Sequence, residues 1–264
     1  MRKLSFTKMV ASGNDFVVVD AYKGASASGY RDLAKKMCDR KFGAGADGLL
    51  VIDKSRKADI RMRIFNADGS EAEMCGNGAR CAALYTGKKN VRLETLAGII
   101  KAIVSRDLVK IRHTDPHSLK LDLPVKVGSR ALWVNFINTG VPHAVIFVDG
   151  LENIDVHGLG RHIRNHKEFS PKGTNVNFVE VLDDESIQVR TYERGVEAET
   201  LACGTGSTAS ALVFALRAGM NKCVNVHTRS GEVLKVYFNR TDNKFSDVWL
   251  EGNASIVYKG AYNV

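Results

Sequence analysis

One pattern occurs twice in this chain, and it limits what the chain can fold into. Cys75-Gly-Asn-Gly78 and Cys203-Gly-Thr-Gly206 lie 128 residues apart, each ahead of a helical stretch rich in small residues. At the same offset Glu71 matches Glu199, and Gly45-Ala-Asp47 matches Gly173-Thr-Asn175. At an offset of 127, Gly13 matches Gly140, Arg63 matches Arg190, and Phe65-Asn66 matches Tyr192-Glu193. The last slip puts one extra residue between Glu193 and Cys203. Glycine-rich loops look alike by accident, but not four times in one order. Two similar folding units therefore follow one another.

Local patterns fill in each unit. Residues 4–10, 16–20, 49–52, 60–66, 91–95, 98–106 and 108–113 read as strands, with helices at 31–40 and 76–86. Residues 133–138, 144–148, 176–181, 187–192, 224–227, 233–238, 247–250 and 254–259 read as strands of the second half, with helices at 156–165 and 204–218. The helix at 204–218 is apolar almost all round, so it belongs inside its unit. The expected fold is mixed α/β (α+β): two pseudo-symmetric units, each a strand-rich, barrel-like sheet wrapped round a buried helix, with an active site in the cleft between them. Thr114-Asp-Pro-His-Ser118 is the expected linker. It divides residues 1–115, which carry Cys75, from 116–264, which carry Cys203. The tail from about residue 251 is allowed to pack back on the first unit.

Composition narrows the function. The 264 residues are 44% hydrophobic and 25% charged, as in a globular protein with a real core. No apolar run is long enough to cross a bilayer, and the start has no apolar h-region, so a cytoplasmic protein is expected. The net charge of +9 is scattered and lacks interleaved aromatics, which argues against a nucleic-acid partner. The cysteines (Cys38, Cys75, Cys81, Cys203, Cys223) are odd in number and include no C-x-x-C, so neither a disulfide framework nor a structural metal site is expected. Cys38, Cys81 and Cys223 suit small buried hydrophobes.

Cys75 and Cys203 differ by position. A sulfur at a helix N-terminus meets unsatisfied N–H groups and the positive end of the macrodipole, which favour thiolate. Glycines beside it let backbone N–H groups close on a carboxylate. Two such thiols on either side of one carbon suit removal of a proton from one face and its return to the other. One must start as thiolate and one as thiol. His143 and Glu193, on loops of the repeat, are the candidates for arranging this.

These residues resemble the diaminopimelate epimerase family. The resemblance is carried by Ser12-Gly-Asn-Asp-Phe16, Gly45-Ala-Asp-Gly48, Phe65-Asn-Ala-Asp-Gly-Ser70, Cys75-Gly-Asn-Gly-Ala-Arg80, Gly140-Val-Pro-His143, Gly173-Thr-Asn-Val-Asn177, Glu193-Arg-Gly195 and Cys203-Gly-Thr-Gly206. It implies a cofactor-independent isomerase that interconverts LL- and meso-diaminopimelate in lysine and peptidoglycan precursor synthesis, with homodimerisation. Cys75 and Cys203 would be the acid/base pair, tuned by His143 and Glu193. The reacting carboxylate would lie on the backbone of Gly76, Asn77, Gly204 and Thr205, with Asn14 and Glu193 near the reacting end. Asn66, Asn175 and Arg194 would grip the distal end, where a planar guanidinium can bind both carboxylate oxygens.

Two positions depart from the family pattern: Val141, where many members carry Asn, and the extra residue, read as lengthening the approach to Cys203. Competing readings are a racemase for proline, hydroxyproline or histidine, which would keep the thiols and change the distal grip, and a phenazine-type isomerase, which lacks the paired cysteines. A non-catalytic small-anion binder would need no thiols.

Overall fold

The computed structural model describes residues 3–21, 27–128 and 130–263. Positions 1, 2 and 264, the outer limits of the expected units, lie outside them. The chain forms two compact units, Met1–Ile111 with Gly252–Val264, and Arg112–Glu251.

In the first unit the strands are β1 (Lys3–Ala11), β2 (Asn14–Asp20), β3 (Gly48–Asp53), β4 (Ile60–Asn66), β5 (Glu71–Ala72), β6 (Asn90–Thr95), β7 (Gly98–Ser105), β8 (Leu108–Arg112) and, from the chain's end, β18 (Ser255–Asn263). Helix α1 (Ala27–Cys38) joins β2 to β3, and α2 (Gly76–Tyr85) stands between β5 and β6. The pairing runs β18–β1–β2–β3–β4–β6–β7–β8, with β5 as a short partner of β4. The β2–β3 and β4–β6 pairs are parallel. A parallel pair needs a crossover, and α1 and α2 supply the two.

The second unit repeats this plan. Its strands are β9 (His117–Val127), β10 (Arg130–Asn138), β11 (Pro142–Phe147), β12 (Asn175–Val181), β13 (Ser186–Glu193), β14 (Ala198–Thr200), β15 (Cys223–Thr228), β16 (Val233–Thr241) and β17 (Lys244–Asn253). Helices α3 (Val156–Arg164) and α4 (Gly204–Arg217) cross over between the parallel pairs β11–β12 and β13–β15. Helix α2 packs against β1, β2, β3, β4, β6 and β7, and α4 against β10, β11, β12, β13, β15 and β16. These are corresponding strands, so each central helix lies in the same surroundings. α2 buries Asn77–Ala83, and α4 buries Gly206–Ala215.

The register places the extra residue. Phe65 pairs with Glu71, and Tyr192 with Glu199, one position further on. The insertion thus falls in the β13–β14 turn, which holds Gly195 and Glu197 at positive φ. The step from Glu199 to Cys203 equals that from Glu71 to Cys75, so the reading of a longer approach to Cys203 is corrected. The register also pairs Phe16 with Gly48 and His143 with Asn175. Asn175 therefore corresponds to Gly48, not to Asp47 as the motif match suggested.

Strand β9 begins inside the expected linker and covers a stretch with no expected element. Nearly all of it is exposed or half-buried, so it shows no apolar alternation.

Candidate active site

Each unit places one cysteine as the N-cap of its central helix. Cys75 has extended backbone (φ −142°, ψ 124°), and its Sγ accepts from the Gly78 N–H at 3.5 Å. Asn14 Oδ1 lies 3.7 Å from the same sulfur. The Asn14 amide donates through Nδ2 to Asp47 at 2.8 Å, and Arg40 holds the other Asp47 oxygen at 2.7 Å. A carboxylate only accepts here, so Asn14 must turn its Nδ2 to Asp47 and its Oδ1 to the sulfur. Behind the cysteine, the fully buried Arg80 donates to Ser12 Oγ at 2.7 Å and Asn77 Oδ1 at 2.8 Å. A side chain at Gly78 would meet Leu50 Cδ2 at 3.1 Å.

In the second unit Cys203 is the N-cap of α4 (φ −115°, ψ 107°) and is buried. Its Sγ lies 3.5 Å from Thr205 Oγ1. Thr139 Oγ1 donates to the Thr205 carbonyl at 3.0 Å, tying the first turn of α4 to the loop before β11. The first-turn N–H groups of α2 and α4, those of Gly76, Asn77, Gly204 and Thr205, have no acceptor within their own helices, as at any helix start. Such groups can hold a carboxylate.

His143 on β11 is fully buried, and its Nδ1 lies 3.2 Å from Asn177 Nδ2. Burial, with electrostatic contributions from Arg194 and His113 adding to it, lowers its pKa from 6.5 to about 3. His143 is thus neutral at physiological pH. Glu193, at the end of β13, is half-buried and accepts from Thr200 Oγ1 at 3.0 Å. Burial raises its pKa, and the Thr200 bond opposes that.

The distal-grip candidates are placed by local bonds. Asn175 Oδ1 accepts from the Arg194 backbone N–H at 2.8 Å, and Asn175 Nδ2 donates to the Pro142 carbonyl at 3.2 Å. The Arg194 guanidinium donates through Nη1 to the Lys172 carbonyl at 3.2 Å. Asn66, exposed at the end of β4, closes its own turn by donating to Ser70 Oγ at 2.9 Å. Val141 is half-buried.

The remaining cysteines contrast with these two. Cys38 and Cys81 are buried, and burial pushes the Cys38 thiol up to about 12, which keeps it protonated. Cys223 is half-buried at the start of β15, less enclosed than expected. Among the described residues, no group of three His, Cys, Asp or Glu side chains could hold a metal ion.

The sequence profile of the family described as diaminopimelate epimerase matches residues 6–118 and 135–257. A diaminopimelate epimerase of Aquifex aeolicus is 44% identical, over 97% of this chain and 97% of its own length. The chain belongs to the diaminopimelate epimerase family. Another relative of that name, from Caldanaerobacter subterraneus, is 42% identical over 99% of this chain and all of its own. Among solved structures, a PhzF-family phenazine biosynthesis protein of Bacillus anthracis matches with a TM-score of 0.76 at 19% identity, each chain fully covered. A hydroxyproline epimerase of Agrobacterium vitis matches with a TM-score of 0.72 at 16% identity, covering 99% of this chain and 91% of that one. At such identities these neighbours share the fold alone. The mixed α/β, strand-rich architecture expected from the repeat is the one they have.

Three residues around the thiols were not singled out by the sequence: Asp47, Arg80 and Asn177. Each stands inside a motif that carried the family resemblance. Their roles depend on contacts 68 residues away for Arg80, 33 for Asp47 and 34 for Asn177, which no local pattern encodes.

Proposed function

We propose that this chain interconverts LL- and meso-diaminopimelate by a two-base mechanism, with Cys75 and Cys203 as the bases. Membership of the family supports the reaction. The observation that carries the mechanism is the repeated one: in each unit a cysteine caps the central helix beside unsatisfied N–H groups. Every other cysteine lacks that position.

In the proposed reaction the thiolate of one cysteine takes the α-proton, and the electron pair it leaves is delocalised into the carboxylate. The backbone N–H groups of Gly76, Asn77, Gly204 and Thr205 hold that carboxylate and stabilise the charge as it grows. The thiol of the other cysteine then delivers a proton to the opposite face. One thiol and one thiolate have exchanged roles, so no net proton is consumed. Asn14 steadies the reacting end beside Cys75. Asn66, Asn175 and Arg194 bind the distal amino-acid end, for which the backbone N–H pinned by Asn175 sets the position of Arg194. Glu193 and His143 shape the electrostatics at the thiols. The reaction needs no pyridoxal phosphate and no metal. The protein works in the cytoplasm as a homodimer, in lysine and peptidoglycan precursor supply.

The test is solvent-deuterium incorporation at the α-carbon of LL-diaminopimelate, with no cofactor or metal added. Label is expected to enter together with inversion. Entry no faster than in buffer, with ready exchange into proline or histidine, would replace this substrate with that of another racemase.

A further inference from the structure

Asn177 sits in the second unit between three partners that can each be assigned without reference to hydrogens. Its Nδ2 is 2.9 Å from the Ala144 carbonyl, and its Oδ1 is 3.0 Å from Thr191 Oγ1. A carbonyl can only accept, so the atom facing Ala144 must be the amide nitrogen. The Thr191 hydroxyl then donates to Oδ1. With the amide fixed, Nδ2 points its second hydrogen at His143 Nδ1, 3.2 Å away. That nitrogen must accept, so it carries no proton. The proton of the neutral ring is on Nε2.

Two further observations argue that this arrangement serves more than packing. The counterparts of His143 and Asn177, 127 residues earlier, are Phe16 and Leu50. In the first unit Leu50 Cδ2 stands 3.1 Å from where a Cβ on Gly78 would be, as Asn177 Oδ1 stands 2.3 Å from one on Gly206. The same place beside the helix start is thus filled by an apolar pair in one unit and a polar pair in the other. Moreover, His143 Nε2 is buried with no hydrogen-bond partner among the described residues. Such a group costs about 1–3 kcal/mol. A cost of that size, where an apolar pair serves equally for packing, marks a donor kept for chemistry.

We propose that Asn177 is a positioning residue: it locks His143 in the Nε2–H tautomer, so that His143 serves the site as a constant hydrogen-bond donor to negative charge and not as a proton shuttle. Protonating Nδ1 would set two N–H groups against each other, at Asn177 and at the ring. The charged and titratable groups acting on the ring, Arg194 and His113, oppose a positive imidazole as well. The role of the donor rests on the epimerase reading, whereas the tautomer does not.

The experiment is 15N NMR of the full chain labelled at histidine, recorded without substrate between about pH 5 and 8, with His143 assigned by loss of its signals in His143→Gln. The expected spectrum has an unprotonated Nδ1 and a protonated Nε2, unchanged over that range. In Asn177→Asp the carboxylate accepts, so the proton is expected at Nδ1. The kcat for epimerisation is then expected to fall at least about tenfold and to acquire a new ionisation in its pH profile. A proton on Nδ1 or an imidazolium in the wild type, or an Asn177→Asp protein with the wild-type tautomer, overturns the proposal. If Asn177→Asp does not fold, the wild-type spectrum decides alone. A wild type with the expected tautomer but no diaminopimelate turnover would remove the epimerase reading and leave the tautomer assignment standing.

Discussion

At Cys75 the sulfur meets two groups with opposite demands. The Gly78 N–H donates to it and favours a thiolate, whereas the Asn14 carbonyl oxygen accepts and favours a thiol. Asp47 decides which end of Asn14 faces the sulfur. In Asp47→Ala the amide is free to turn its nitrogen to Cys75, so alkylation of Cys75 at neutral pH is expected to speed up, read by mass spectrometry of each cysteine. An unchanged rate would show that Asp47 does not set this orientation. His143 makes a stability statement. Its folded pKa is depressed from 6.5 to about 3, so its contribution is present above pH 6.5 and is lost as pH falls towards 3. Acid unfolding of His143→Gln is expected to be shallower than that of the wild type over this window. An equally steep loss would assign it to other groups. For Glu193 the sign reverses: its raised folded pKa gives stability at low pH that is lost as pH rises through that value. The two cysteines were legible in the sequence because a repeated Cys-Gly-x-Gly ahead of a helix is a local pattern. Asp47 and Asn177 were not, because each acts through a partner distant along the chain.

The elements that present the cysteines are braced twice over in the same way. Arg63 grips Glu71 with bonds of 2.7 and 2.8 Å, and Arg190 grips Glu199 with bonds of 2.7 and 2.8 Å. Each pair ties the strand before the turn to the short strand that leads to the cysteine. Arg63→Met and Arg190→Met are each expected to cost about 2 kcal/mol by denaturant unfolding, and a loss near zero would show that the strands hold without them. Gly206 is a packing requirement of α4, since a Cβ there would lie 2.3 Å from Asn177 Oδ1. Gly206→Ala is therefore expected to destabilise by about 1–3 kcal/mol and to displace Asn177 from His143. Among the described residues, most strands and helices α1 to α4 could be read from periodicity and glycine punctuation. Strand β9 could not, because its residues are mostly exposed, and its place is set by hydrogen bonds to β10. The extra residue was visible as an offset slip, but only the pairing of Tyr192 with Glu199 shows that the turn absorbs it.

Across the whole molecule the repeat has an offset seam. β9 follows β8 in the chain and pairs with β10, while β18 follows β17 and pairs with β1. The β1 edge is thus closed by the last strand of the chain, and the β10 edge by the strand just before it. Removing residues 252–264 would bare the β1 edge, so faster amide exchange in Lys3–Ala11 is expected, with β10 unaffected. The sequence showed two similar units and allowed the tail to join the first, but an exposed final strand carries no pattern that specifies β1 as its partner. The proposed two-base mechanism divides one inversion between the two helix-capping cysteines. It is tested most directly by the epimerisation rate of Cys75→Ala and Cys203→Ala on LL-diaminopimelate, with folding checked by thermal unfolding. Each variant is expected to stay folded and to lose at least about 100-fold in rate. A folded Cys203→Ala or Cys75→Ala protein that turns over at the wild-type rate would contradict it.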